Sequence, residues 1–434
     1  MGFAWDPFRD SKTSVRGGFG LFYDVLKGED NLQFNGQPPF YSSVGLNFSP
    51  LPDGASSEVN YMTQPFLAAG VPNPFPSRPP AANINFADSG FLPVGSSGSV
   101  FIVDPHLRTP YIYQYNLSVQ HELARNTVAE LDYVGSSSHG LTALVDANPF
   151  VLGTTNRLLN VGPGTAACAP FLCYGALPEF RNETNANYNA LQASVTKQFS
   201  SGSGFGRSYF TFGYNYSHNI DNASGFQNRN FAVPYYRPQL FRSSSDMDLR
   251  HRLVLSGGWE LPFDRVWEQG PGQATRGWNL FPILSWQTGF PLDIFAFPGL
   301  FDFTDPGPSG AGDPGLVRAN LIRPVQMLDP HRDKNYWFNP ASFDNSSFPA
   351  GSYGTLPRNF LRGPGRFNLD LALSKTTPVF GDRMKVELRA DFFNLFNSVE
   401  FRNPNTNIAD VRTFGRITGT YSPRIVQVAA RFAF

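Results

Sequence analysis

The stretch Arg424–Phe434, RIVQVAARFAF, decides the fold of this chain. Val426, Val428, Ala430, Phe432 and Phe434 alternate with Ile425, Gln427, Ala429, Arg431 and Ala433. Successive side chains of an extended strand point to opposite faces, so a period of two marks a strand rather than a helix. One face of this strand is continuously apolar; the other carries an amide and a guanidinium.

Working back from that end, the same period recurs in about ten segments. Arg383–Asn394 sets Val386, Leu388, Ala390 and Phe392 against Lys385, Glu387, Arg389 and Asp391. Arg366–Thr376 sets Phe367, Leu369, Leu371 and Leu373 against Asn368, Asp370 and Ser374. Trp278–Phe290, His251–Leu261, Ser208–His218, Asn187–Phe199, Thr127–Gly135, Tyr111–Glu122 and Thr13–Tyr23 read the same way. Met1–Asp6 has the look of the end of another strand. These runs are about 9–13 residues long, whereas strands of soluble proteins average ~5–6 and strands that cross a bilayer need ~9–11. Length and the strong contrast between faces therefore favour an all-β, antiparallel transmembrane barrel over a soluble β-sandwich.

Composition agrees. Among 434 residues, 34 Lys and Arg balance 34 Asp and Glu, which argues against a nucleic-acid partner. Charged residues are 16% of the chain, below the ~25% usual in soluble domains. Aromatic residues reach 15%, and 41 Gly and 37 Pro supply turns. There is no run of ~18 apolar residues to make a transmembrane helix, so membrane residence requires a closed barrel whose backbone groups are all paired.

The connections sharpen this. Segments 24–110, 136–186, 219–250, 291–365 and 397–423 are long, and those between them are short. Strict alternation is expected when one end of a barrel carries periplasmic turns and the other carries external loops.

The candidate sites are mostly polar wall or loop aromatics. Asp246, Asp248, Arg250 and Arg252 crowd the mouth of one strand, and Lys385, Glu387, Arg389 and Asp391 form a ladder of alternating sign on another. Both are expected to be ion-pair networks that keep an inward face solvated; contact with cargo is the sharper alternative. Arg362 and Arg366 flank a Gly-Pro-Gly turn that either faces the lumen or grips an anion. In the long loops Tyr61, Phe66, Tyr336, Trp337 and Tyr353 either stack on a ligand or fold the loops onto each other. Phe392, Phe393 and Phe396 suit an aromatic girdle. His139 is expected in an external turn. Cys168 and Cys173 are expected to form a local disulfide in an exported protein; structural zinc needs four ligands, which this stretch lacks. Nucleophile-elbow, phosphate-loop and zinc-protease motifs are absent from the sequence, so neither an enzyme nor a cofactor is expected.

Several motifs resemble the barrel region of Oar-like TonB-dependent receptors. They include FAWDPFRDSKTSVRGGFGLFYD at 3–24, TPYIYQYNLSVQHELARNTVAELDYVGSSSHGL at 109–141 and NANYNALQASVTKQFSSG at 185–202. FTFGYNYSHNIDNASG at 210–225, DMDLRHRLVLSGGWELPF at 246–263 and GWNLFPILSWQTGFPLDI at 277–294 follow in order. RNFLRGPGRFNLDLALSKT at 358–376 and VELRADFFNLFNSVEFRNP at 386–404 complete the set. The resemblance implies residence in outer-membrane lipid and uptake of a large nutrient (a glycan, peptide or siderophore). It also implies that Phe432 and Phe434 are read by the barrel-assembly machinery. Such receptors have about 22 strands around a plug that contacts TonB. Here about ten strands, no signal peptide and no plug are legible. The expectation is therefore that residues 1–434 are the C-terminal part of such a barrel. That part would be inactive in transport by itself and would meet TonB only through the missing plug region. The alternative is an adhesive or structural outer-membrane barrel whose loops bind surfaces without transport.

Overall fold

Alternation in sequence becomes one twisted antiparallel sheet in the computed structural model. It describes residues 1–25, 64–68, 102–149, 151, 158, 177–198, 206–224, 242–296, 317–344, 355–379 and 383–434. Eleven strands lie side by side in chain order. They are β1 (Gly2–Trp5), β2 (Thr13–Tyr23), β3 (Tyr111–Ala124), β4 (Thr127–Asp146), β5 (Pro178–Lys197) and β6 (Ser208–Asp221). β7 (His251–Glu260), β8 (Trp278–Gln287), β9 (Arg366–Val379), β10 (Met384–Phe393) and β11 (Ile425–Ala433) complete the row. The two-residue pieces Ile102–Val103 and Ser243–Ser244 join β5 and β6 at their margins.

Across the middle of the strands, register carries the two faces over the sheet without a slip. One transverse row runs Val15, Val119, Leu131, Ala193, Tyr214, Leu253, Trp286, Phe367 from β2 to β9. The adjacent row, one residue along each strand, runs Arg16, Ser118, Asp132, Gln192, Asn215, Arg252, Gln287, Arg366. A shift of one residue in any pair would put a charge among the rings, so patterning fixes the register. On the far side, Leu373, Ala390 and Val428 continue the apolar face while Ser374, Arg389 and Ala429 continue the polar one.

Connections alternate as the sequence predicts. The β1–β2 turn is tied by Asp6, whose carboxylate accepts the backbone N–H groups of Phe8, Arg9 and Ser11 at 3.2, 2.8 and 3.0 Å. The β3–β4 turn passes through Asn126 at φ 64°, a left-handed conformation that Asn tolerates. Between β7 and β8 lie two single-turn helices, Phe263–Val266 and Gly272–Thr275.

Two expectations need correcting. β4 and β5 are both 20 residues long, so they extend well beyond the segments Thr127–Gly135 and Asn187–Phe199. His139 is a strand residue, paired with Tyr111 and stacked on its ring at 5.2 Å, rather than part of a turn. The cause is a register shift around Gly140 (φ 61°), which bends the pair and lets it continue past a run that reads as a turn. In keeping with the partial barrel expected, β1 and β11 each pair with one neighbour only, so among the described residues the sheet is open.

Among the described residues, the cluster of buried apolar side chains lies in the connections rather than on the sheet. Leu292, Ile294, Phe338, Phe343, Leu361 and Phe414 are at its centre, drawn from the β8–β9 and β10–β11 connections. Phe338, Phe343 and Phe414 meet edge-on with centroids 5.3–5.8 Å apart. That geometry sets the positive ring edge against the negative face. By contrast, mid-strand Leu117 and Leu388 on the apolar face are 46% and 56% exposed. A face this apolar is satisfied by hydrocarbon, not water.

Candidate functional site: a clasped loop layer at the mouth of the sheet

Asp246 to Arg252 lead into β7, and the structure folds this segment against the end of β6 and against residues 358–362 of the β8–β9 connection. Asp248 is the centre of one half. Its buried carboxylate accepts from the Asn219 N–H at 2.8 Å, Arg250 Nε at 3.0 Å and a terminal nitrogen of Arg362. His218 Nδ1 lies 3.3 Å from it. Arg250 approaches His218 Nε2 at 3.1 Å and can only donate. In the tautomer that carries its proton on Nδ1, the His218 ring bridges Asp248 and Arg250. Arg362 also donates to the carbonyls of Asp248 (3.1 Å) and Gly289 (3.2 Å).

Arg358 is the centre of the other half, and only 2% of its surface is exposed. It pairs with the Asp221 carboxylate, donates to the Asp221 carbonyl at 3.0 Å and to Ser224 Oγ at 2.7 Å, and lies 3.5 Å from Asp246. Asn359, in a left-handed conformation at φ 55°, donates its amide to Ser244 O and Asp246 Oδ1, each at 2.7 Å. Burial lowers Arg358 to about 10, which still leaves it charged at neutral pH. A buried guanidinium persists only where its donors are matched, and here the partners come from the end of β6 and the β6–β7 connection, more than a hundred residues away in sequence. The two halves together clip the β8–β9 connection onto the β6–β7 connection.

The acid limit of this clasp is set by Asp248. Burial alone would raise its carboxyl, but the Asn219 N–H, Arg362, Arg250 and His218 outweigh burial and hold it at about 2, below its ordinary 3.8. A depressed carboxyl contributes stability above its unfolded value and loses it as pH falls through its folded value. The clasp should thus be intact above roughly pH 4 and lose about 2 kcal/mol as pH falls toward 2. Denaturation midpoints followed from pH 5 to pH 2 should show this fall, and Asp248→Asn should flatten it.

Other sites expected from the sequence are distributed as follows. Arg252 is on the polar row between Asn215 and Gln287. Lys385, Glu387, Arg389 and Asp391 share the polar face of β10; Arg389 pairs with Asp391 at 2.9 Å, and Glu387 stands opposite Arg431. Trp337 packs against the loop core and donates Nε1–H to the Arg362 carbonyl at 2.8 Å. The Tyr336 ring lies under the Arg416 guanidinium at 4.5 Å. Phe66 is in the single-turn helix Pro65–Ala68. Arg366 pairs with Glu400 at 3.3 Å and covers the Tyr421 ring at 3.8 Å. Phe396 stacks on Phe367 at 6.4 Å, beside the end of β10. Phe432 and Phe434 are exposed on and beside β11. Tyr61, Tyr353, Cys168 and Cys173 lie outside the described residues.

Asp221, Arg358 and Asn359 were not singled out by sequence, although Arg358 and Arg362 share a short segment that also holds Asn359. Among the described residues no three His, Cys, Asp or Glu side chains are grouped to hold a metal ion. A cavity of ≈ 410 Å³ opens in the loop layer beside the aromatic core, lined by Asn335, Phe401, Arg416, Thr418 and Thr420 among others.

A family model described as outer membrane beta barrel domain matches residues 1–427. No curated protein matches. Among solved structures, the outer membrane transporter YddB from Escherichia coli is 11% identical, with 99% of this chain and 39% of that chain covered and a TM-score of 0.46. The ferripyoverdine receptor of the outer membrane of Pseudomonas aeruginosa is 8% identical, with 99% and 32% covered and a TM-score of 0.40. The ferric-catecholate import receptor Fiu from Escherichia coli K12 is 8% identical, with 100% and 34% covered and a TM-score of 0.40. The chain thus spans between 32% and 39% of the length of these structures.

Proposed function

The chain belongs to the family of outer membrane beta barrel domains, and on that premise we propose that it forms the wall and external loop layer of a TonB-dependent receptor. It resides in the bacterial outer membrane, with the aromatic and aliphatic rows toward lipid and the polar rows toward the lumen. The proposed task is uptake of a large nutrient: a glycan, peptide or siderophore.

One observation carries this reading. The described parts of two long connections are bound into a layer at one end of the sheet by the Arg358 and Asp248 pairs. Mobile loops need no such investment in buried charge, and an ordered layer at a barrel mouth suits capture of a solute. The order of sequence motifs shared with Oar-like receptors adds support. Coupling to TonB would run through a plug and TonB-contacting segment rather than through the strands described here, so the chain alone is not expected to drive transport. Lys385, Glu387, Arg389 and Asp391 are proposed to line the lumen. Phe432 is proposed as a contact for the assembly machinery, together with Phe434.

Deleting the gene in its host tests the reading. Energy-dependent uptake of at least one large solute should fall to the level seen when a protonophore collapses the proton gradient. Unchanged uptake with reduced attachment to surfaces would instead support an adhesive barrel.

A further inference from the structure

Arg416 is in an unusual position for a guanidinium in a well-bonded loop layer. Its Nε is shielded from solvent and has no hydrogen-bond partner. No carboxylate lies within ion-pair distance of it among the described residues; the Tyr336 ring at 4.5 Å is its one recorded charge partner. A ring face attracts a cation but accepts none of the directed hydrogen bonds that the planar guanidinium offers.

The cavity of ≈ 410 Å³ that Arg416 lines is within the size range of small-molecule sites. Its walls are chemically mixed. Phe401 supplies an apolar ring, and Asn335, Thr418 and Thr420 supply an amide and two hydroxyls. Their side chains make no hydrogen bond among the described residues. The backbone that carries them is pinned: Ile417 N–H donates to Asn335 O at 2.8 Å, Gly415 N–H to Asn405 O at 2.8 Å and Arg402 N–H to Gly419 O at 3.0 Å. Phe401 and Thr420 are paired across a β-bridge. The cavity is therefore built before any ligand arrives.

We propose that this cavity binds a small ring compound bearing one carboxylate. Arg416 meets the carboxylate, Phe401 covers the ring, and Asn335, Thr418 and Thr420 bond its polar edge. The two terminal nitrogens of Arg416 match one carboxylate through parallel N–H donors, Nε being shielded. The proposal deepens the reading of the loop layer as a ligand-receiving surface, by naming the chemistry of one site in it.

The test uses the full chain in detergent micelles, titrated with benzoate and with neutral benzamide. Benzoate should bind saturably and benzamide at least about tenfold more weakly, the scale of one charge-assisted contact. Arg416→Gln should lose about ten- to a hundredfold in benzoate affinity, and Arg416→Lys should recover part of it. If Arg416→Gln alters the aromatic near-ultraviolet signal of the loop core, the double variant Thr418→Val, Thr420→Val replaces it and should weaken binding several-fold. Absence of saturable binding, equal binding of benzamide, or indifference to these substitutions would overturn the proposal. Uptake is scored separately: intact uptake without carboxylate binding overturns the cavity alone, and binding without uptake overturns the transport reading alone.

Discussion

Arg358→Met is expected to destabilise the folded chain by about 3–5 kcal/mol, because it strips a buried carboxylate of its charge partner. Arg358 and Asp221 are both nearly inaccessible and are separated by 137 residues in sequence. The lost arginine also withdraws donors from the Asp221 carbonyl and Ser224 Oγ. The methionine fills much of the volume, so the cost is electrostatic rather than a cavity. Loss should concentrate in the loop layer, since the sheet below is held by its own ladder. Urea unfolding followed by loop proteolysis would read the effect. Adding Asp221→Leu should return much of the stability, because replacing both members of a buried pair by apolar groups is often neutral. The coupling energy from that double-mutant cycle measures the pair directly.

Leu388→Arg is expected to cost about 2–4 kcal/mol of stability in a bilayer, the cost of a lipid-facing arginine near the midplane. Leu388 is near the middle of the ten-residue strand β10 and points to the apolar face, between Lys375 and Ala430. The matched control is Gln427→Arg, one strand over on the polar face and opposite Asp391. There an added guanidinium meets a carboxylate and water, so it should be close to neutral. Folding of both variants into lipid vesicles, titrated with urea, gives the two values. A similar cost for both substitutions would mean that the faces are not divided between lipid and lumen.

The strands were legible because lipid on one face and water on the other enforce a two-residue period over the span of the membrane. Phe210, Phe212, Tyr214 and Tyr216 against Thr211, Asn215 and Ser217 leave little room for another register. Legibility ended where that enforcement ends. Beyond Gly140 the β4–β5 pair is packed by protein, with Ala143, Val145 and Phe180 buried, and the Ser-rich run Gly135–Gly140 that leads into it interrupts the alternation that marks a membrane strand. The local sequence then reads as a turn although the ladder continues.

The loop layer was harder for a different reason. The long segments were recognisable, and Tyr336 and Trp337 marked one as aromatic. Which loop each ring would meet depends on contacts between distant segments, such as Phe338 with Phe414 and Arg358 with Asp221. Asp246, Asp248 and Arg250 were identifiable as a charge cluster, but their partners Arg358 and Arg362 come from more than a hundred residues away. The sequence-level picture of a self-contained network at one strand mouth thus becomes a clasp between two connections.

The division of faces is tested most directly by single cysteines placed along β9 and β10 and carrying nitroxide labels, with the chain in lipid vesicles. Collision with oxygen, which concentrates in lipid, should dominate at Leu369, Leu371, Leu373, Val386 and Leu388. Collision with a water-soluble nickel chelate should dominate at Asn368, Asp370, Glu387 and Arg389. A two-residue alternation in phase with these positions is the predicted result. Nickel accessibility at both sets, with no alternation, would contradict a lipid-facing sheet and with it the assignment of this chain to a membrane wall.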